Sequence, residues 1–216
     1  MTELEIYKIA ASILAIMVAI IGHEIMHGWV AYRYGDDTAK SQGRLSINPI
    51  VHIDPIGTLL VPALLYISGS PFLFGWAKPV PINSNIVIRN GGYNAMIAVS
   101  LAGITYNFLL AILLATILPL VGNPDSALSA FVYLFILQSI LINVVLGVFN
   151  LWPVPPLDGS QALMYFSAKM KWRSIVEFLE KIYPYGMIFI ILILATPLGN
   201  IMFQPVRWIL QAITSQ

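Results

Sequence analysis

Apolar residues run almost unbroken through four long stretches of the chain, and the polar residues that interrupt them fall in a few places. Between Lys8 and Arg33 the only ionisable side chains are His23, Glu24, His27 and Tyr32. Asn90 to Pro124, Ser126 to Leu157 and Ile182 to Val206 carry no charge. A bilayer core takes about 20 mostly apolar residues in a helix. The pattern therefore predicts four transmembrane helices, near 6–31, 94–120, 128–150 and 184–210. A fifth uncharged stretch, Pro55 to Ala77, is punctuated by Pro55, Gly57, Pro62, Gly69, Pro71 and Gly75. Its cleanest apolar run, 56–67, is short for a crossing, so a re-entrant or interfacial hairpin is expected there. In 74–82, Pro79 and Pro81 exclude a helix and push their predecessors toward extended backbone. A short β element is expected, with Lys78, Val80 and Ile82 keeping their donors on one edge to receive an extended peptide as an added strand. The expected fold is a polytopic α-helical membrane protein, one domain over residues 1–216.

Composition agrees with this class. The chain is 58% hydrophobic and 10% charged, with a mean hydropathy of +0.82. A soluble domain carries about 25% charged residues, so this one lacks the means to cover a water-facing surface. A net charge of +1 leaves no basic field for nucleic acid. The absence of cysteine excludes disulfides and thiolate metal sites. The first residues, Met-Thr-Glu-Leu-Glu, are acidic and precede no small-residue cleavage site, so no cleavable leader is expected. Arg33, Lys40, Arg44, Lys78 and Arg89 lie between the first and second spans, and Lys169, Lys171, Arg173 and Lys181 between the third and fourth. The loop at 121–127 has only Asp125. The positive-inside rule then places 32–93 and 151–183 in the cytoplasm, provided 55–77 does not cross once.

The chemistry concentrates in His23-Glu24-Ile25-Met26-His27. On a helix, His23 and His27 stand one turn apart on one face, where both imidazoles can bind one metal ion. Glu24 projects beside them, able to take a proton from water. Imidazole pairs suit zinc, which also takes a third protein ligand and keeps a position open. The bland reading is a polar cluster tying helices together. Against it, insertion scales put a charged residue at mid-span at about +2.5 to +3.5 kcal/mol. Three ionisable groups in five residues, at metal-binding spacing, are hard to explain as packing. For the third ligand, His52 and Asp54 lie in a turn-rich loop, and Glu177 and Glu180 in a charged segment that reads as cytosolic. Asp158 follows the uncharged third span within Asn150-Leu-Trp-Pro-Val-Pro-Pro-Leu-Asp-Gly159, whose prolines break the helix and let the chain fold back.

His23–His27 together with Leu157-Asp158-Gly159 resemble the two signatures of the site-2 protease family of intramembrane metalloproteases. The likeness extends over Gly35-Asp36, Gly43-Arg44-Leu45-Ser46-Ile47-Asn48-Pro49, His52–Thr58 and Gly75–Pro81. It implies that His23, His27 and Asp158 hold one zinc ion and that Glu24 is the general base. The family's Gly-Pro-x-x-Asn string reads Gly103-Ile104-Thr105-Tyr106-Asn107 here, without the proline. Asn107 is accordingly a candidate to bond the substrate backbone, or else a helix-packing amide. Many relatives carry a peptide-binding or nucleotide-sensing module, for which 216 residues leave no room. The implied activity is zinc-dependent hydrolysis of peptide bonds in or near transmembrane segments of membrane proteins, at a cell membrane, with the site toward the cytoplasm. The chief rival is a proton- or metal-coupled transporter, disfavoured by the lack of an internal repeat. A silent scaffold would be expected to lose Glu24 or a ligand.

Overall fold

A computed structural model describes residues 3–69 and 75–214. The chain runs through α1 (Glu3–Arg33), a single turn α2 (Thr38–Ser41), a π-helical turn Pro55–Leu60 leading into α3 (Val61–Ile67), then α4 (Ser84–Val121) and α5 (Ala127–Asn150). It ends with α6 (Asp158–Lys169), α7 (Arg173–Ile182), α8 (Gly186–Ala195), α9 (Leu198–Met202) and α10 (Gln204–Thr214).

α1, α4 and α5 pack on one another pairwise. Their contact faces repeat every four residues. On α1 the buried row is Ala11, Ala15, Ala19, His23, His27, Ala31. On α4 it is Ala95, Val99, Gly103, Asn107, Ala111, Ala115. Rows at this spacing are the ridges through which helices interdigitate, and small residues in them let backbones approach closely. The outer faces stay apolar: Ile6, Ile9, Ile13 and Ile16 on α1, and Leu109, Ile112, Leu113 and Leu120 on α4, are exposed. That is a surface suited to lipid.

Four helices are long and apolar enough to cross a membrane, as expected in number. Three match the expected ranges. The second helix begins at Ser84, ahead of the expected 94, and is kinked at Gly92, at φ 66° and ψ −166°. Only glycine adopts that backbone geometry without strain. The fourth lies earlier than expected, at Arg173–Ala195 rather than near 184–210. Uncharged composition hid a break: Thr196 is extended before Pro197, as a residue preceding proline tends to be. Beyond it, α10 turns back onto α5 and α4.

In the segment between α2 and α4, where residues 70–74 of the expected hairpin lie outside the described residues, the described ends meet. The chain leaves at Pro55 and returns beside its own start, where Trp76 N–H donates to Gly57 O (3.1 Å) and Lys78 N–H to His52 O (2.9 Å). Two hydrogen-bonded ends do not lie on opposite sides of a core about 30 Å thick. Residues 75–83 are irregular, and no strand occurs among the described residues, so the expected β element is not found there. Residue 74 of that expected element lies outside the described residues.

Candidate metal centre

His23 and His27 occupy successive turns of α1, and their Nε2 atoms lie 3.0 Å apart. Asp158 reaches them from the first turn of α6: its Oδ2 is 2.9 Å from His23 Nε2 and 3.1 Å from His27 Nε2. The chain is brought there by the 151–157 loop. Trp152 and Leu157 are buried with Ile190 of α8, which clamps the loop from behind. Among the described residues, these three form the group of metal-ligand type.

The remaining ring nitrogens decide what the cluster can hold. His27 Nδ1 lies 2.7 Å from the Val99 carbonyl oxygen, which only accepts. His23 Nδ1 lies 2.6 Å from Asn107 Oδ1. The amide nitrogen of Asn107 is committed elsewhere, donating to Ala19 O (3.2 Å) and Asn143 Oδ1 (2.8 Å). Both Nδ1 atoms therefore carry the proton, and both Nε2 atoms present lone pairs. Two lone pairs and a carboxylate oxygen converge at about 3 Å, an arrangement that a cation reconciles. Bonds of about 2.0–2.2 Å around a tetrahedral zinc ion put neighbouring donor atoms roughly 3.3 Å apart, close to this triangle. Imidazoles fixed through Nδ1 by carbonyl oxygens are the usual outer layer of a zinc site. A carboxylate that binds a metal is deprotonated.

Gly103 passes directly over His23. A Cβ there would lie 2.5 Å from the ring's Cε1 and Nε2, so the close approach of α4 to α1 at this level depends on the missing side chain.

Glu24 projects into a cavity of about 660 Å³, whose walls include His23, His27, Trp76, Met96, Asp158 and Tyr165. Its Oε2 accepts from Val80 N–H at 2.8 Å. That bond corrects the edge expected at 78–82. Lys78 N–H is taken by His52 O and Val80 N–H by Glu24, while Lys78 O accepts from Arg44 Nη2 at 2.6 Å. These groups are paired within the chain and do not await a substrate strand. Ile82 lines the cavity with an apolar side chain. Asn107 is fully buried behind His23, with its amide groups bonded inside the protein, so it has no face toward a substrate. His52 lies away from the cluster, its Nε2 2.8 Å from Ser46 O. Asp54 caps the Pro55 turn, accepting from Ile56 and Gly57. Asn143 and the Val99 carbonyl escaped the sequence reading, which named the Val80 donor but for a substrate strand rather than for Glu24. The fourfold spacing of Val99, Gly103 and Asn107 was the signal available for one helix face.

Comparison with known proteins agrees with this chemistry. The model of "Peptidase family M50" matches residues 123–194, the stretch that contains Asp158. The chain is 34% identical over 197 residues to the proposed zinc metalloprotease YwhC of Bacillus subtilis, covering 89% of this chain and 84% of that protein. It is 28% identical over 195 residues to the proposed zinc metalloprotease Rip2 of Mycolicibacterium smegmatis, covering 89% and 70%. Rip2 of Mycobacterium tuberculosis is 29% identical over 196 residues, with the same coverage. No solved structure matches. With its apolar helices and a histidine–histidine–aspartate cluster fitted to zinc, the chain belongs to peptidase family M50, the site-2 proteases, and is a membrane zinc metalloendopeptidase.

Proposed function

We propose that the enzyme hydrolyses peptide bonds in or beside transmembrane segments of membrane proteins, with His23, His27 and Asp158 as the ligands of one zinc ion and Glu24 as general base. The observation that carries this reading is the convergence of His23 and His27, on a helix long enough to span a bilayer, with Asp158 from α6, all opening with Glu24 onto one cavity. Zinc supplies Lewis acidity there, polarising a carbonyl and making water a nucleophile near neutral pH. The rest falls to the chain. Val80 N–H holds Glu24 Oε2, which leaves Oε1 to accept the proton of the attacking water and deliver it to the leaving amine. Largely apolar walls limit water to the reacting end, and the cavity's size suits one short stretch of peptide. A helical substrate has to unwind to enter, because its carbonyls are occupied in i to i+4 bonds.

The test uses the purified full chain and a model transmembrane peptide. Glu24→Gln keeps one zinc per chain and lowers cleavage by roughly 10²- to 10⁴-fold, the range of general-base catalysis. His23→Ala loses zinc and cleavage together. Cleavage by Glu24→Gln at the wild-type rate would refute the assignment.

The site faces the cytoplasm of a cell membrane, since the basic residues cluster on the same side as the hairpin. Single cysteines introduced at 40 and 85 then react with an impermeant reagent from the cytoplasmic face alone. External labelling at 85 would mean that 55–77 crosses.

A further inference from the structure

Behind the metal cluster lies a second buried polar structure that zinc ligation does not itself require. Asn143 of α5 is fully buried in the middle of an uncharged helix, and its Nδ2 donates to Ser139 O at 2.8 Å. Its Oδ1 accepts from Asn107 Nδ2 at 2.8 Å, and Asn107 Oδ1 faces His23 Nδ1 at 2.6 Å. The polarity of this series is fixed by two backbone carbonyls, Ser139 O at its far end and Ala19 O beside Asn107. A backbone carbonyl only accepts, so Asn143 has to present its nitrogen to Ser139 and its oxygen to Asn107. Asn107 then has to present nitrogen to Asn143 and oxygen to His23. His23 Nδ1 is thereby obliged to donate, and the lone pair is left on Nε2, the atom that meets Asp158. Every link joins groups held in a low-dielectric interior, where reversing one amide leaves two unmatched partners.

The geometry points to Asn143 as a positioning residue for the metal centre: a tandem amide relay from Ser139 O through Asn143 and Asn107 sets the tautomer and ring angle of His23, so that α5 tunes zinc binding without touching the ion. Asn107 has a second anchor in Ala19 O. The effect of losing Asn143 is therefore smaller than that of losing Asn107.

The inference rests on zinc binding at His23, and the experiment separates the two. Zinc dissociation constants are measured by chelator competition on the full chain in detergent. The proteins are the wild type, Asn107→Ala, Asn143→Leu, Asn143→Asp and the Asn107→Ala/Asn143→Leu double variant. A wild type that binds no zinc would overturn the metal reading itself. With zinc bound, Asn107→Ala weakens affinity about 10- to 100-fold, as loss of an outer-layer partner does. Asn143→Leu keeps the branched outline of the amide and removes its polar groups; because leucine is larger, the histidine NMR below separates a lost hydrogen bond from altered packing. The relay requires a loss of roughly 3- to 10-fold, at or below the low end of outer-layer effects. In Asn143→Asp, a neutral acid in this apolar surrounding still donates to Ser139 O and accepts from Asn107, so affinity stays near wild type. The double variant binds no more weakly than Asn107→Ala, because the relay is already cut. Additive losses in the double variant would overturn the proposal, since independent sites add. So would wild-type affinity in Asn143→Leu. Nitrogen-15 NMR of labelled histidine gives a second readout in zinc-free protein: His23 is protonated at Nδ1 in the wild type and mixed between tautomers in Asn143→Leu. An unmixed Nδ1–H signal in that variant would also overturn the proposal.

Discussion

The two sides of the cavity are built by opposite means. On the metal side, His23 and His27 and the groups behind them sit on α1, α4 and α5, at fourfold spacing, in rows of small buried residues, and Asp158 joins them from α6. On the covering side, residues 75–82 are irregular backbone held at single points: Trp76 to Gly57 O, Lys78 to His52 O, Arg44 to Lys78 O, Val80 to Glu24. The apolar hairpin beneath them packs mainly on its own preceding turn, and Ile56, Leu59, Leu64 and Ile67 are exposed. Regular helices satisfy their own backbone and leave side chains free for chemistry. Irregular backbone has to find each partner separately, and one of those partners is Glu24, the proposed general base. Metal binding should depend on the first side and turnover on both.

One added methyl group on each side tests that division. Gly103→Ala drives a Cβ into the His23 ring, and the expected result is the largest: zinc affinity falls by at least about 10- to 100-fold, with cleavage lost in parallel. Metal analysis across a zinc titration checks it, and unaltered affinity would show that α4 can move away. On the covering side, Val80→Pro removes the donor to Glu24 without touching a ligand. A hydrogen bond to a charged group contributes about 1.5–3 kcal/mol, so cleavage should fall by roughly 10- to 100-fold while zinc stays at one per chain. Wild-type turnover in a folded variant would mean that Glu24 needs no such support. The smallest effect is expected from Gly57→Ala. Its Cβ would run into the Trp76 indole, which has to shift, but no residue of the metal cluster is touched, so zinc is unchanged and cleavage drops by a factor of roughly 2 to 5. Zinc loss in this variant would break the separation of the two sides.

The helical side was largely legible because its signals are local. Twenty uncharged residues announce a span, and two histidines four apart announce a shared face. Asp158 was legible through its prolines and through resemblance to the family. Asn107 was found with two readings, a substrate contact or a helix-packing amide, because its position on α4 does not say that it meets His23, 84 residues away. The fourth span was misplaced because charge counting does not detect Thr196-Pro197. For 78–82, alternation told which donors share an edge but not what meets that edge. The answer lay in Glu24, His52 and Arg44, each far away in sequence.

The amide behind His23 also settles the charge balance of the centre. A carboxylate would orient the imidazole equally well and is a common choice in zinc sites. Here Asn107 and Asn143 bring no charge and the imidazoles turn lone pairs toward the metal position, so the acidic side chains of the centre are those of Asp158 and Glu24. Their two negative charges match one divalent ion. The energy of placing a charge in a low-dielectric medium grows with its square, so an electroneutral assembly is the one that can lie deepest among apolar helices at least cost. An aspartate at position 107 would leave the filled centre anionic, and the interior would then favour a more shallow, more hydrated site. The amide pair is thus what permits a doubly charged ion to be kept where lipid, rather than water, surrounds the protein.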